Sequence, residues 1–364
     1  MSLVPTHIRE LESYKPGRNI TDVQKAMGLK RVVKLASNEN PMGPSPKALE
    51  AVQNSLDQNF RYPDAAALLL RNKLAERFDL NIDNVTVGAG SEGVMSAIMR
   101  TFLRIGDEII AANNSFIGFR VLANASGIRT NWVSLNRYHH DLPAMAGEIN
   151  DYTKIIYLAN PDNPTGTYFS VKEFDAFMVN VPDRVLVILD EAYFEYAEHL
   201  ADYPDSMHYR YDNVITLRTF SKAYGLAGFR VGYGFAHNEL IENLMKVKLP
   251  FEPSWPAQVA AVAALDDEKY IYNTVTSNYS GMKKLMAAFQ EMNLEIIPSA
   301  ANFLTLIFNN EEKATAFNDS MLHNGIILRH LIGWGHPECI RITVGSEEEN
   351  RYLLEKISDT LQAV

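Results

Sequence analysis

The segment around Lys222 carries residue types that could do chemistry on a carbonyl group. Lys222 closely follows the apolar run of residues 214–217 and has small or apolar neighbours. Desolvation at such a position lowers the pKa of an ammonium group, and the resulting neutral amine attacks carbonyl carbon. Thr219 and Ser221 add hydroxyl donors, and Arg230 adds a permanent positive charge that suits a phosphate. An isolated loop lysine is ordinarily a solvated surface charge, but this cluster favours a Schiff-base lysine beside a phosphate.

Asp190 is the second candidate, because it directly follows the apolar run of residues 185–189. An ionised carboxylate buried without a partner is costly, so we expect a cation or strong hydrogen-bond donors to face it. The alternative is a structural role in which Asp190 caps the N-terminus of a helix in the following loop.

Residues 88–93 form a glycine-rich loop, Gly-Ala-Gly-Ser-Glu-Gly, between a short apolar run and a helical stretch. The backbone of Ala89, Gly90 and Ser91 could bind a phosphate at the helix N-terminus. The same letters fit the dinucleotide fingerprint, which also requires an acid near the end of the next strand. That strand, residues 108–112, ends in Asn113 and Asn114, so a single phosphate fits better.

Asn163 lies in the turn Asn-Pro-Asp-Asn-Pro-Thr-Gly of residues 160–166. Its two prolines and its glycine predict a rigid turn that fixes the Asn163 amide, although the segment could be only a turn. These four loops each follow a predicted strand. Because the carboxyl ends of parallel strands share one edge of a sheet, we expect the four loops to converge there.

The pattern of apolar runs and amphipathic stretches predicts an α/β fold with a mostly parallel seven-stranded sheet covered by helices. The predicted strands are residues 85–87, 108–112, 131–135, 154–159, 185–189, 214–217 and 231–235. Three further strands, 303–308, 326–331 and 339–344, predict a smaller α/β domain. We therefore divide the chain into residues 1–40 (an arm and part of the small domain), 41–255 (the large domain) and 256–364 (the small domain).

Composition excludes several classes of protein. The 364 residues include 34 Lys and Arg against 44 Asp and Glu, a net charge of −10 that disfavours nucleic acids and anionic membranes. The single cysteine, Cys339, cannot form an intrachain disulfide, which fits a soluble cytoplasmic protein. His139, His140 and His336 have no third ligand at metal spacing, so we interpret them as surface or loop residues.

Taken together, these motifs resemble the fold-type I pyridoxal-phosphate enzymes, in particular the histidinol-phosphate aminotransferases. The matching segments span nearly the whole chain, and residues 221–232 are the most specific of them. The other matching segments are residues 14–17, 35–41, 61–64, 160–166, 190–193 and 340–345.

The resemblance implies a role for each candidate residue. Lys222 would form the imine with pyridoxal phosphate, and Asp190 would pair with the pyridine nitrogen and so keep the ring an electron sink. Tyr193 and Asn163 would bind the ring oxygen O3′, and Phe116 would stack on the ring. The cofactor phosphate would be bound by Ser221, Arg230, Thr219, the backbone of Ala89, Gly90 and Ser91, and Tyr62 of a neighbouring subunit. Tyr14, Asn163, Arg329 and Arg341 would contact the substrate.

The activity implied by the resemblance is transamination between histidinol phosphate and 2-oxoglutarate in histidine biosynthesis, by a homodimer acting on small molecules. Two alternatives reuse the same cofactor site: an aromatic amino-acid aminotransferase and a threonine-phosphate decarboxylase. A nicotinamide-dependent dehydrogenase would depend on the glycine pattern alone. A DNA-binding regulator would need a basic module, which no segment supplies.

Overall fold

The computed structural model describes residues 3–13, 17–206 and 211–362, so Tyr14 lies outside the described residues. The strands are β1 (Val33–Lys34), β2 (Val85–Gly88), β3 (Glu108–Ala112), β4 (Arg129–Val133), β5 (Thr153–Ala159), β6 (Leu186–Asp190), β7 (Val214–Thr219), β8 (Gly232–Phe235), β9 (Glu295–Ile297), β10 (Phe303–Ile307), β11 (Ile326–Ile327), β12 (Arg329–His330) and β13 (Cys339–Thr343). The helices are α1 (Thr6–Arg9), α2 (Ile20–Met27), α3 (Pro46–Gln53), α4 (Leu68–Arg77), α5 (Gly90–Phe102), α6 (Ile117–Ser126), α7 (Leu142–Gly147), α8 (Val171–Met178), α9 (Phe194–Ala197), α10 (Asn238–Val247), α11 (Trp255–Leu265), α12 (Glu268–Glu291), α13 (Glu311–His323) and α14 (Glu347–Gln362).

The large sheet contains the seven predicted strands, in the order β2-β8-β7-β6-β5-β3-β4. The five strands from β7 to β4 are parallel, whereas β8 runs antiparallel to both of its neighbours. Every residue of β3 and β6 is buried, because helices cover both faces of the sheet. The predicted α/β fold is confirmed, and the carboxyl ends of β5, β6 and β7 lie side by side.

Local sequence signals set where the helices begin. Ser170 accepts a hydrogen bond from the backbone of Glu173, whose carboxylate returns one to the Ser170 backbone, so α8 begins with a capping box. Ser346 and Glu349 exchange the same pair of hydrogen bonds ahead of α14. Each start carries the Ser-x-x-Glu spacing that is typical of a capping box.

A second sheet carries the C-terminal strands in the antiparallel order β12-β13-β10-β9. The N-terminal strand β1 pairs with β11, so the first part of the chain lies against the last part. Helix α11 packs in the same buried cluster as Leu70 and Leu74 of α4, beside the large sheet. The domain boundaries at residues 40 and 255 stay predictions.

Within the described ranges, no helix has both the length and the apolar character needed to cross a membrane.

Candidate functional site

A pocket opens at the carboxyl edge of the large sheet. Its empty volume is about 850 Å³, and its walls come from the loops that follow β2, β3, β5, β6 and β7. The sequence-predicted residues that line it are Ser91, Phe116, Asn163, Asp190, Tyr193, Thr219, Ser221, Lys222 and Arg230. The predicted convergence of separate loops on one edge is therefore observed.

Asp190 ends β6 and is almost fully buried, with 4% of its surface exposed. Its Oδ2 accepts a hydrogen bond from the hydroxyl of Tyr157 at 2.8 Å. Its Oδ1 is buried and has no hydrogen-bond partner among the described residues. Burial raises the pKa of this carboxyl group to about 7. The N-cap residue of the following helix α9 is Tyr193, so Asp190 does not cap that helix, although its carboxyl group also accepts from the backbone N–H of Ala192. Its Oδ1 remains to be paired by a donor in the pocket.

Lys222 lies in the loop after β7, partly buried and facing the pocket. Its Nζ is 3.5 Å from the carbonyl oxygen of Ser37 and 5.6 Å from the centre of the Tyr193 ring. Burial, aided by the positive charge of Arg341, lowers the pKa of the ammonium group to about 8. A substantial fraction of the amine is therefore neutral near physiological pH, as a nucleophile for carbonyl carbon requires.

Tyr193 and Asn163 lie on the side walls of the pocket. The Tyr193 hydroxyl accepts a hydrogen bond from the Asn38 amide at 2.8 Å, and burial raises its pKa to about 12. The Asn163 side-chain oxygen accepts from a guanidinium nitrogen of Arg341. Both side chains are thus held in place by residues of the N-terminal segment and of β13.

The start of α5 forms an open cradle. Ala89 is the N-cap residue and makes no side-chain capping bond, so the first backbone N–H groups of the helix are not used by a cap. Gly90 has a φ of +77°, and Cβ at this position would lie 2.9 Å from Nη2 of Arg230. Nη1 of Arg230 donates to the hydroxyl of Ser221 at 3.4 Å. Backbone N–H groups, a hydroxyl and a guanidinium group therefore surround one small space, which suits a phosphate.

Arg341 and Arg329 face each other across the neighbouring strands β13 and β12. Both donate to the carbonyl oxygen of Ala36, Arg341 at 2.8 Å and Arg329 at 3.4 Å. Arg341 is buried and Arg329 is half-buried. Two guanidinium groups that share one carbonyl acceptor concentrate positive charge, which attracts an anion.

Three predicted side chains do not line this pocket in the described chain: Arg341, which bonds to its wall residue Asn163, Arg329, which lines a separate pocket with Trp334, and Tyr62. Tyr62 is 79% exposed and stacks on Phe251, with ring centres 4.4 Å apart. Tyr14 lies outside the described residues. Two residues next to the pocket have little sequence signal: Tyr157 looks like an ordinary core residue of β5, and Asn38 is marked only by its place among polar residues before Pro41.

The sequence matches a known protein family along most of its length. The profile of the family described as aminotransferase class I and II matches residues 30–357. The chain belongs to this family. Its matches include a histidinol-phosphate aminotransferase from Halalkalibacterium halodurans, 42% identical over 96% of this aminotransferase and 95% of that protein. A histidinol-phosphate aminotransferase 2 from Pseudomonas fluorescens is 39% identical over 99% and 98% of the two chains.

Solved structures of aminotransferases are also similar to this chain. The histidinol-phosphate aminotransferase of Sinorhizobium meliloti, solved in complex with pyridoxal-5′-phosphate, has a TM-score of 0.91 and 27% identity over 100% of this aminotransferase and 98% of that chain. An aspartate aminotransferase from Thermus thermophilus has a TM-score of 0.82 at 18% identity over 99% and 100% of the two chains. At 18% identity, the similarity to the aspartate aminotransferase shows a shared fold alone.

Proposed function

We propose that this aminotransferase uses pyridoxal phosphate to transfer an amino group between histidinol phosphate and 2-oxoglutarate, giving imidazole-acetol phosphate and glutamate. The observation that carries the proposal is the pairing, in one pocket, of a lysine with a lowered pKa and a buried aspartate oxygen without a partner. The named relatives, at about 40% identity over nearly the full chain, support the choice of substrate.

The pocket residues fit pyridoxal phosphate. The unpartnered Oδ1 of Asp190 needs a cationic N–H donor, which a protonated pyridine nitrogen provides. The cradle at the start of α5 fits the phosphate. Gly232 packs against this cradle, and a Cβ at Gly232 would collide with the backbone nitrogen of Ser91. When bound, this cofactor supplies an aldehyde for the amine and a ring that accepts the electrons released at the substrate Cα.

The position of each residue in the pocket suggests its role in the reaction. We assign two roles to Lys222: its amine would hold the cofactor at the aldehyde carbon, and it would move the proton at the substrate Cα. Asp190 holds the proton on the ring nitrogen. Tyr193 and Asn163 bind O3′, and Phe116 covers a face of the ring. Thr219, Ser221, Arg230 and the backbone of residues 89–91 bind the phosphate. Asn163, Arg329 and Arg341 face the substrate, and we place Tyr14 there as well.

We predict that capture of the cofactor by the apoenzyme accelerates as the pH rises. Only the neutral amine of Lys222 attacks, and with a pKa of about 8 the rate should be half-maximal near pH 8. Stopped-flow absorbance after mixing apoenzyme with pyridoxal phosphate measures this midpoint. In Arg341→Gln the midpoint should move upward, because a neighbouring positive charge is lost. A midpoint above pH 10 in the unmodified enzyme would contradict the lowered pKa.

We predict that the paired arginines contribute unequally to substrate binding. Arg341→Gln should raise KM for histidinol phosphate by roughly 10- to 100-fold, since a hydrogen bond to a charged group contributes about 1.5–3 kcal/mol. Arg329→Gln should raise it less, because Arg329 is more exposed and more distant from Ala36. Steady-state kinetics measures both. Arg184→Gln, at a half-exposed arginine bonded to backbone carbonyls elsewhere, is the matched control. An unchanged KM in Arg341→Gln would remove the arginine from substrate binding.

We also propose that the enzyme is a cytoplasmic homodimer whose partner supplies Tyr62 to the cofactor phosphate. Leu56, Phe60 and Leu69, which lie within seven residues of Tyr62 in the chain, are each more than half exposed, as apolar residues of an interface would be. Analytical ultracentrifugation should therefore report a dimer, and mixing inactive Lys222→Ala with Tyr62→Ala should restore activity in mixed dimers. A monomer with full activity would overturn this proposal, and cell fractionation tests the location.

A substrate panel on the reconstituted enzyme tests the reaction itself. With 2-oxoglutarate as acceptor, kcat/KM for histidinol phosphate should exceed that for phenylalanine by a wide margin, and threonine phosphate should release no carbon dioxide. Preference for phenylalanine would instead indicate an aromatic aminotransferase. Release of carbon dioxide would indicate the decarboxylase.

A further inference from the structure

Asp162 is a fully buried carboxylate next to the pocket, with 0% of its surface exposed. Its Oδ1 accepts a hydrogen bond from the hydroxyl of Ser115, and its Oδ2 accepts one from the hydroxyl of Thr165 at 2.9 Å. A buried charge is stable only when its oxygens are well bonded, so these two hydroxyls hold the side chain in one orientation.

His140 completes the surroundings of Asp162. Its Nε2 is 3.5 Å from Oδ1 of Asp162, and its side chain is only 2% exposed. His140 lies in a loop, as the sequence interpretation allowed, but its side chain points inward. His336, at 8% exposure, is likewise buried. Neither histidine belongs to a cluster of metal-ligating side chains in the described ranges.

The hydrogen bond between Ser115 and Asp162 joins the loop after β3 to the loop after β5, and each residue is next to a pocket residue. Ser115 directly precedes Phe116, and Asp162 directly precedes Asn163. Phe116 and Asn163 both line the pocket, whereas Asp162 and Ser115 lie behind it. Within the second loop, the backbone N–H of Gly166 donates to the carbonyl of Asp162 at 2.8 Å, so the carboxylate is fixed to a closed turn.

We propose that Asp162 is a positioning residue: through Ser115 and Thr165 it fixes the Asn163 amide and the Phe116 ring against the cofactor. Because both residues are assigned to the cofactor ring, the inference rests on the proposed function. Asp162 acts through its neighbours, and its loss should change the environment of O3′ even though it does not contact the ring.

A double-mutant cycle tests this role on enzyme reconstituted with pyridoxal phosphate. The readout is the pH midpoint of the visible absorbance of the bound cofactor, which depends on the hydrogen bonds to O3′. We expect Asn163→Ala and Asp162→Ala to shift the midpoint in the same direction, Asp162→Ala by about 0.5 pH unit or more. The double variant should shift no further than Asn163→Ala alone, because Asp162 acts through Asn163.

Two outcomes would overturn the proposal. One is an additive shift in the double variant, and the other is an unchanged midpoint in Asp162→Ala with loss of thermal stability alone. If the unmodified enzyme acquires no visible absorbance with pyridoxal phosphate, the proposed function itself fails, which is a separate result. Asp202→Asn is the matched control, because Asp202 also accepts a hydroxyl hydrogen bond, from Tyr168 at 2.8 Å, away from the pocket. Its midpoint should not move.

Ser115→Ala keeps the proposal testable if Asp162→Ala does not fold. This variant removes the link to the Phe116 loop and leaves the bond between Asp162 and Thr165 intact. We expect its dissociation constant for pyridoxal phosphate to rise by about tenfold, as for the loss of a hydrogen bond to a charged group. An unchanged dissociation constant would show that Asp162 does not position Phe116.

Discussion

Replacement of Lys222 by alanine should lower the transamination rate by about ten-thousand-fold or more. The substitution removes both the amine that bonds to the aldehyde and the group that moves the proton at the substrate Cα, and general acid–base catalysis alone is worth up to about 10⁴-fold. Borohydride reduction of the unmodified holoenzyme followed by peptide mass spectrometry should find the cofactor on Lys222 and, in Lys222→Ala, on no lysine. Steady-state assays at pH 8 measure the rate.

Lys246→Ala provides the matched control, because Lys246 is an exposed lysine that pairs with Glu242 on α10. Its rate should equal that of the unmodified enzyme. Covalent label on a lysine other than Lys222, or a Lys222→Ala variant that keeps its rate, would remove Lys222 from the reaction.

Replacement of Asp190 by asparagine should lower kcat by about 100-fold or more while the cofactor remains bound. The neutral amide can still accept from the Tyr157 hydroxyl but no longer stabilises a proton on the ring nitrogen. Loss of one such electrostatic contact typically costs 10²–10³ in rate. Absorbance measures the bound cofactor, and a kinetic isotope effect at the substrate Cα measures proton abstraction. An unchanged rate of proton abstraction would contradict the pairing.

The same substitution should stabilise the apoenzyme at alkaline pH. Burial raises the pKa of Asp190 in the folded chain from 3.8 to about 7, so the folded state binds more protons than the unfolded state between these values. Stability of the apoenzyme therefore falls as the pH rises from about 4 to 7, and the carboxylate remains a cost above that range. At about 1.36 kcal/mol per pKa unit, Asp190→Asn should recover at most about 4 kcal/mol at pH 8.

Thermal or urea unfolding of the two apoenzymes at pH 5 and pH 8 measures this gain, which should appear at pH 8 and largely vanish at pH 5. Asp175→Asn is the matched control, because Asp175 also accepts from a tyrosine hydroxyl, that of Tyr211 at 3.2 Å, but lies outside the pocket. Equal pH dependence in Asp190→Asn and the unmodified chain would show that Asp190 is not the titrating group.

Much of the candidate site could be predicted because its residues follow strand ends. Apolar runs marked the strands, and parallel strands place their following loops at one edge, so Asn163, Asp190 and Lys222 were expected to meet. Periodicity does not reveal how side chains pair across space. The partner of Asp190, Tyr157, looks like any core residue of β5, and the contact between Arg329 and Arg341 depends on the register of β12 and β13.

Other contacts join positions that are distant in sequence. Asn38 reaches Tyr193 across 155 residues, and Ser115 reaches Asp162 across 47. Neither pair has a local signal, because each depends on how the loops pack after the sheet has formed. The inward side chain of the loop residue His140 has no local signal either, because a polar loop carries no apolar periodicity.

The pairing of β1 with β11 affects the order in which parts of the chain can fold during synthesis. All seven strands of the large sheet have been translated once residue 235 is synthesised, whereas the partner of β1 arrives only at Ile326. Residues 36–38, whose backbone and side chains meet Arg341, Lys222 and Tyr193, follow β1 directly. On the ribosome, the sheet can therefore form well before residues 36–38 are anchored, and the pocket that retains the vitamin-derived group is completed once β11 has been synthesised.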